Sequence, residues 1–417
     1  MITVKKTTRS AQNIPNRQFE RAMWTLRRQA VGRDQTNDSG RSNYNDADRT
    51  DQNVTWFALA GQNESWFSPE IQRDPSGGAR PSGADPDALV LRGSIVIETR
   101  FPVLRRPRPL MYFQNSGDWP VHLSLQAVPG GSLTLVVDQG GEILHHAFNG
   151  TDAGRTDILR VTYSWDAPAR TGRLVLERAD KGVVQIVPVK SPGPIRLKDI
   201  EAIIKPGDHR YLAPEVIFVA ASDTIEPVGP VPGLWPDTPI ATPGGFRPAR
   251  DLKRGDLVLN PDWDSVPVLH SISRTVPARG SFRPVRLCTP YFGLKQDIVT
   301  SSLQGLIVGG SGVEYLFGKE AVRFQAGHLA GGRAVKNLPG ARFATYVQLV
   351  LPENEALNAA GAHVESLWIG RIRRNPDHLA ASSLAGIDRN TLPEHAPPAT
   401  PELDAFEAAI LSEHRAA

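Results

Sequence analysis

Five side chains between positions 112 and 146 carry aromatic, amide or imidazole groups that could bind a ligand: Tyr112, Asn115, Trp119, His145 and His146. Aromatic rings stack on flat apolar surfaces, and amide or imidazole groups hydrogen-bond to polar groups. The two histidines are adjacent, so in a strand they point to opposite faces and cannot chelate one metal together. Packing at the rim of a β-structure explains the same aromatic residues, and the sequence leaves both interpretations open.

Three aspartates in predicted loops, Asp118, Asp138 and Asp152, could offer oxygen ligands to calcium. Their spacing does not match a dedicated calcium loop. We therefore expect no cofactor, with calcium as the one possible ion. The single cysteine, Cys288, excludes an internal disulfide and a cysteine-rich zinc site. It can be a nucleophile or a small buried hydrophobe, and the second interpretation is favoured.

The composition predicts a β-rich protein with many turns. The 417 residues include 37 glycines and 35 prolines, and 40% are hydrophobic, which suffices for two or three domains. No run reaches the roughly 18 apolar residues of a membrane span, and the N-terminus lacks the apolar core of a secretory signal. We expect a cell-surface or extracellular protein exported without such a signal, or a virion component.

Residues 53–226 predict a β-sandwich. Short alternating segments such as "HLSLQAV", "LTLVVD" and "GRLVLER" are separated by glycine-rich turns, with no helical pattern between them. In order and length they resemble the concanavalin A-like (laminin-G-like) jelly roll, most clearly at "ILRVTYSWDAPARTGRLVLER". This resemblance implies glycan binding through loops at one rim. The proline-rich residues 227–232 predict a linker between domains.

The N-terminal residues 1–52 predict a basic polar arm. Positions 1–50 contain ten Lys or Arg and five Asp or Glu, and "NRQFERAMWTLRRQAV" has Phe19, Met23 and Leu26 at helical spacing. An amphipathic helix of this kind must dock on the protein body or on a partner. We expect it to anchor a homo-oligomer or a larger assembly, whereas nucleic-acid binding is disfavoured.

The segment 233–370 has a distributed pattern: "TPIATPGGFRPARDLKRGDLVL", then "DIVTSSLQGLIVGG", then "YVQLVLPENEALNAAGAHVESLWIG". It resembles the Hint (hedgehog/intein) domain of bacterial multidomain proteins. The resemblance implies an all-β horseshoe and self-processing activity. Within it, "GLIVGGSGVEYLFG" predicts a hairpin with its turn at "GGSG". Residues 371–417 predict a polar tail with a short helix at "LDAFEAAILSEH".

The residues that the resemblance implies for catalysis are missing. An active Hint domain begins with Cys, Ser or Thr, which attacks the preceding carbonyl, and a Ser/Thr-x-x-His motif protonates the leaving nitrogen. The first position here is Gly233. In the second motif Ser302 keeps a hydroxyl and Gly305 replaces the histidine, and Gln348 and Asn354 stand at later histidine positions. The prediction is a degenerate domain without enzymatic activity.

These expectations combine into a non-enzymatic structural or binding protein: an adhesive component of a surface or phage-like assembly that contacts a glycan or a protein partner. The inactive Hint domain would then serve as a docking or spacer module. One alternative is self-processing, with autocleavage near residues 226–238. Another is a carbohydrate-active jelly-roll enzyme, which would need two nearby carboxylates; the strands predicted for its inner face are poor in Asp and Glu.

Overall fold

The computed structural model describes residues 55–69, 85–102, 105–139, 141–148, 158–178 and 182–416. The predicted arm, residues 1–52, lies outside these residues, as does Asp152. Within the described residues, strands are the main element and helices are short, so the all-β prediction is confirmed. None of the described helices combines the length and the apolar character that crossing a membrane requires.

The first half of the chain is a two-sheet sandwich. Its strands are β1 (Trp56–Ala60), β2 (Ser65–Phe67), β3 (Leu89–Val90), β4 (Arg92–Arg100), β5 (Arg108–Asn115), β6 (Val121–Val128), β7 (Ser132–Gln139), β8 (Glu142–Phe148), β9 (Ile158–Asp166), β10 (Thr171–Arg178), β11 (Val183–Lys190), β12 (Ile195–Arg196), β13 (Arg210–Leu212) and β14 (Val216–Ser222). One sheet has the order β11-β10-β9-β4-β14-β1-β2, and the other has the order β13-β5-β6-β7-β8. The chain crosses between the sheets four times, after β4, after β8, between β11 and β13, and after β13, as in a jelly roll.

Alternation along the strands builds the sandwich core. In β7, Leu133, Leu135 and Val137 are buried while the residues between them are more exposed, because successive side chains point to opposite faces of a strand. The inward residues of both sheets form one hydrophobic cluster. The sandwich predicted from the alternating segments is therefore confirmed as a fold.

The central strands of the seven-stranded sheet are buried on both faces. Every residue of β4 and β9 except the terminal ones is buried. Val96 and Phe218 of this sheet share a hydrophobic cluster with Phe282 and Tyr346 of the second half. The second half of the chain therefore covers the outer face of one sandwich sheet, whereas the outer face of the five-stranded sheet has intermediate and exposed positions.

The second half is built of shorter strands. They are β15 (Pro239–Thr242), β16 (Gly245–Pro248), β17 (Leu257–Leu259), β18 (Ser265–Pro267), β19 (His270–Pro277), β20 (Pro284–Leu287), β21 (Ile298–Ser301), β22 (Gly305–Gly309), β23 (Ala321–Gln325), β24 (Val335–Asn337), β25 (Phe343–Val350), β26 (Ala356–Ala359) and β27 (Ala362–Glu365). The largest sheet has the order β16-β15-β26-β27-β22-β23, and smaller sheets pair β17 with β18, β19 with β25, and β20 with β21 and β24.

Two helices lie where the sequence pattern predicted only strands and turns. The α-helices are α1 (Leu197–Ile204), α2 (Ser311–Phe317), α3 (Pro376–Ala381) and α4 (Ala405–Ala416). Helix α1 lies inside the sandwich sequence, where no helix was expected, and buries Ile200 and Ile203 against the core. Helix α2 occupies the predicted "GGSG" hairpin: β22 and β23 do pair, but a helical turn that starts after Gly310 joins them.

The C-terminal segment and the linker are packed rather than free. Leu403, Ala408 and Leu411 join the core of the second half, so the predicted terminal helix docks on the body. In the proline-rich linker, Val228 is 2% exposed, and the backbone N–H of Gly229 donates to Glu177 Oε1 at 2.9 Å. The two halves are therefore joined by a fixed segment.

Candidate functional site

Gly233, the predicted first position of the Hint-like segment, is held between two strands. Its carbonyl accepts a hydrogen bond from the Ser301 N–H at 2.7 Å, and the next residue, Leu234, exchanges backbone hydrogen bonds with Val347 on β25. Leu234 also bridges to Thr300 on β21. Backbone hydrogen bonds therefore hold position 233 against the end of β21.

Two amide side chains, those of Gln304 and Gln348, lie beside position 233. A Cβ added to Gly233 would overlap Gln304 Oε1 and would lie 3.2 Å from Ser301 Oγ. Gln304 is fixed because its Nε2 donates to the carbonyls of Gly305 and Glu365, both at 3.0 Å, and its Oε1 accepts from Gln348 Nε2 at 2.8 Å. The amide pair therefore fills the space that a nucleophilic side chain at position 233 would need.

Gln348, identified from the sequence, belongs to this centre, but the other motif positions are offset by one residue. Ser302 Oγ donates to the Ser281 carbonyl at 2.8 Å, and Gly305 lies against the Glu365 carboxylate. The structure places Ser301 and Gln304, not Ser302 and Gly305, at Gly233. A Ser-x-x-Gln spacing read one position earlier would have found them.

Asn354 is not brought to this centre. It lies half-buried in the turn between β25 and β26, and no contact joins it to Gly233 among the described residues. Glu365 is a titratable group that lies against Gly305. Burial raises the pKa of its carboxyl group, although the charge of Arg323 acts to lower it. Cys288 is buried, and burial raises the pKa of its thiol. A thiol in that state is a poor nucleophile.

The sandwich candidates fall into two groups. Asn115 and Trp119 lie at the β5–β6 end, where the Asn115 amide donates to Asp199 at 2.7 Å and the Trp119 carbonyl accepts from Arg196. These contacts are structural, although the Trp119 ring is 40% exposed. His146 is half-buried, and its ring meets Phe148 edge-on. His145, on the opposite face of β8, is exposed.

Tyr112 and His145 share one open surface, which we call the outer row. Cross-strand register links Tyr211 to Tyr112, Tyr112 to Ser124, Ser124 to Val136, and Val136 to His145. Directly paired residues point to the same face, so the outer row runs across all five strands. Tyr211 is 40% exposed. Sequence reasoning missed it because β13 has three residues and no alternation to detect.

A second row beside the outer row adds polar groups. Gln114 pairs with His122, and His122 pairs with Asp138. The Tyr112 hydroxyl donates to Gln114 Oε1 at 2.9 Å, and its ring centroid lies 5.6 Å from that of His122. The face therefore combines aromatic planes with amide, imidazole and carboxylate groups, which is the chemistry of hydroxyl recognition.

The calcium candidates are separate from one another. Asp138 Oδ1 accepts from the Gly141 N–H at 3.2 Å, which closes the β7–β8 turn, and Asp118 is exposed in the β5–β6 turn. The part of the chain that the structure describes contains no group of three or more His, Cys, Asp or Glu residues placed to hold a metal.

The family comparison identifies the second half. The family model of the Hint domain matches residues 232–371. Residues 232–371 are a Hint domain. The matched residues extend one position beyond the predicted 233–370 at each end, and the first of them lies directly before Gly233. The Hint domain is therefore the element that covers the seven-stranded sheet of the sandwich.

Several solved structures are similar to parts of the chain. A Ruminococcus gnavus IT-sialidase CBM40 bound to alpha2,3 sialyllactose is 16% identical, covers 33% of this chain and 77% of its own, and has a TM-score of 0.24. The native heptameric SAP-like pentraxin from Limulus polyphemus is 8% identical, with coverages of 32% and 52% and a TM-score of 0.18. The binding domain of Botulinum neurotoxin serotype D is 9% identical, with coverages of 77% and 86% and a TM-score of 0.24.

These TM-scores are low, so the description of the sandwich rests on its own strand order. A search of curated proteins found no match.

Proposed function

We propose that the protein is a non-enzymatic binding protein whose sandwich recognises a glycan through the outer row. The observation that carries the proposal is that one sandwich sheet is sealed by the Hint domain, while the other presents Tyr112, Tyr211 and His145 on an open face. Five strands at about 4.8 Å spacing give a row roughly 19 Å long. That length suits an oligosaccharide rather than a single sugar.

The chemistry of the face supports a glycan. Tyrosine rings offer flat apolar surface to the C–H face of a sugar at a low entropic cost, and each hydroxyl can donate and accept. Gln114, His122 and Asp138 lie beside the row and can hydrogen-bond to sugar hydroxyls. A protein partner is the second candidate ligand for this face, and a glycan array distinguishes a glycan ligand from a protein ligand.

In this proposal the Hint domain has a structural role. A covalent step needs a nucleophile at position 233, and Gln304 lies where that side chain would be. An amide does not release a proton in the ordinary pH range, so Gln304 cannot act as the general acid. The domain instead seals the seven-stranded sheet and fixes the orientation of the sandwich.

The test is a glycan array probed with the whole protein. We expect selective binding to one glycan class, and about tenfold weaker binding for Tyr112→Ala and Tyr211→Ala, since one aromatic contact contributes on the order of 1 kcal/mol or more. Tyr315→Ala is the matched control, because Tyr315 is 81% exposed on helix α2 of the Hint domain. Equal binding by all three variants, or no glycan binding at all, would reject the proposal.

We also propose that the protein belongs to a surface or phage-like assembly in which residues 1–52 anchor it. The support is the basic sequence of that arm with its apolar residues at helical spacing. Light scattering of the whole protein should give the mass of an oligomer, and Phe19→Asp with Met23→Asp should reduce it. An unchanged mass for the double variant would remove the anchoring role.

A further inference from the structure

A cavity of about 610 Å³ lies where the sandwich, the linker and the Hint domain meet. Ile186 of β11 and Pro230 of the linker form one side, and Arg323 and Glu365 of the Hint sheet form another. Trp368, which follows the last Hint strand, closes the rim. Pockets of roughly 300–1,000 Å³ are the usual size for small ligands. This cavity shares no residue with the outer row, and Gly233, Gln304 and Gln348 of the Hint centre also line it.

Trp368 supplies a fixed aromatic surface at the rim. Its indole N–H donates to the Ala396 carbonyl at 3.0 Å, yet the side chain is 41% exposed. Two glycines lie close to the ring. A Cβ added to Gly182 would lie 3.6 Å from it, and a Cβ added to Gly370 would lie 3.1 Å from it. An indole that is held by a hydrogen bond while its surface stays open is preorganised for stacking on an apolar ligand face.

The accessible polar groups of the cavity carry balanced charge. Arg323 binds Glu365 at 3.2 Å and Glu402 at 2.5 Å, and these three side chains are 22%, 18% and 37% exposed. Arg371 is exposed and His378 is half-buried on the same lining. Since arginine faces carboxylate here, a ligand with a net charge would gain from one group and be repelled by the other. Neutral groups that both donate and accept fit best, and hydroxyls have that property.

We propose that this cavity binds a neutral saccharide of one to three units, with a sugar ring stacked on Trp368 and its hydroxyls hydrogen-bonded to Glu402, Arg323 and Arg371. The cavity volume sets the size, the indole selects a flat C–H surface, and the mixed polar groups select hydroxyls. Because the ligand would touch both the sandwich and the Hint domain, its binding stabilises their docked arrangement by mass action.

The test uses the whole protein and a panel of free neutral mono-, di- and trisaccharides, with thermal unfolding and isothermal titration calorimetry as readouts. At least one saccharide should raise the unfolding temperature. Trp368→Ala and Arg371→Ala should each weaken its binding about tenfold, the scale of one aromatic or charge-assisted contact. Because the Arg371 side chain is exposed, its truncation should leave the unfolding temperature of the free protein unchanged.

Two controls separate this site from the outer row. Trp263→Ala removes a tryptophan that is 52% exposed in the turn before β18 and does not line the cavity, so it should bind the saccharide normally. Tyr211→Ala should bind the array glycan about tenfold more weakly and bind the free saccharide normally. The proposal is overturned if no neutral saccharide raises the unfolding temperature, or if both Trp368→Ala and Arg371→Ala bind like the wild type.

Discussion

Adding a side chain at position 233 tests whether the Hint centre is closed by its amide pair. In Gly233→Ala and Gly233→Cys the new Cβ would overlap Gln304 Oε1, so Gln304 must move. It would then give up two hydrogen bonds from Nε2, each 3.0 Å long, and one from Gln348 to Oε1 at 2.8 Å. Buried polar groups left without partners cost about 1–3 kcal/mol each. With partial relaxation, we expect a loss of about 2–4 kcal/mol of stability for either variant.

Urea unfolding of the two variants beside a matched control measures this cost. Gly244→Ala is suitable, because a Cβ there meets only Thr242 Oγ1, at 3.9 Å, and its stability should change little. A second arm, Gly233→Ala with Gln304→Ala, should cost less than the sum of the two single changes, because Gln304→Ala removes the side chain that the new Cβ would overlap. If Gly233→Ala were as stable as Gly244→Ala, the amide pair would not be a fixed obstruction.

The Gly233→Cys protein also tests the chemistry. It regains a thiol but has Gln304 where a proton donor is needed, so we expect one intact species by mass spectrometry after incubation with thiol or hydroxylamine. The wild type should likewise remain at 45.4 kDa. Fragments that end at residue 232 and begin at 233 would refute the reasoning, because they would show that the amide pair permits the acyl shift.

Two further predictions concern buried groups outside both proposed sites. Glu98→Gln should lower the free energy of unfolding by about 3–5 kcal/mol, because Glu98 accepts hydrogen bonds from the buried Arg160 guanidinium and from the Ser281 N–H across the domain junction. Urea unfolding followed separately in each half should show that both halves are destabilised. A loss of stability confined to the sandwich would contradict the docking role of Glu98. Burial lowers the pKa of His395, whose two ring nitrogens bond buried backbone groups. The neutral ring therefore stabilises the fold above about pH 6.5, and this contribution is lost as the pH falls below that value. His395→Gln should flatten the decline in unfolding temperature between pH 7 and pH 5, and an unchanged slope would assign the decline to other groups.

The fold class was predictable because it rests on local patterns. Alternating residues in β6 and β7 point to opposite faces whatever the rest of the chain does, so the sandwich strands could be read directly. The Hint pattern located its domain to within one residue at each end. Helix α1 was missed although Leu197, Ile200, Ile203 and Ile204 recur at helical spacing and are its buried residues, because these eight residues are short beside the strand segments that surround them.

The candidate sites were predictable only in part. Gly233 and Gln348 were found, but the neighbours of Gly233 were misplaced by one residue, since only the pairing of β21 decides whether Ser301 or Ser302 faces the centre. Tyr112 and His145 were found as separate candidates. Their membership of one row depends on register through three intervening strands, which no local pattern records.

By itself, the sequence determined the β architecture, the position of the Hint domain and the absence of a nucleophile at position 233, because periodicity and residue identity are properties of single segments. The tertiary structure decided which surfaces remain open. Glu98 and Arg160 lie at polar positions of alternating strands, where solvent would be expected, yet both are buried. Their partner Ser281 is 183 residues from Glu98 along the chain. Contacts of that separation arise only when the domains dock, and that docking leaves the five-stranded sheet as the face available for binding.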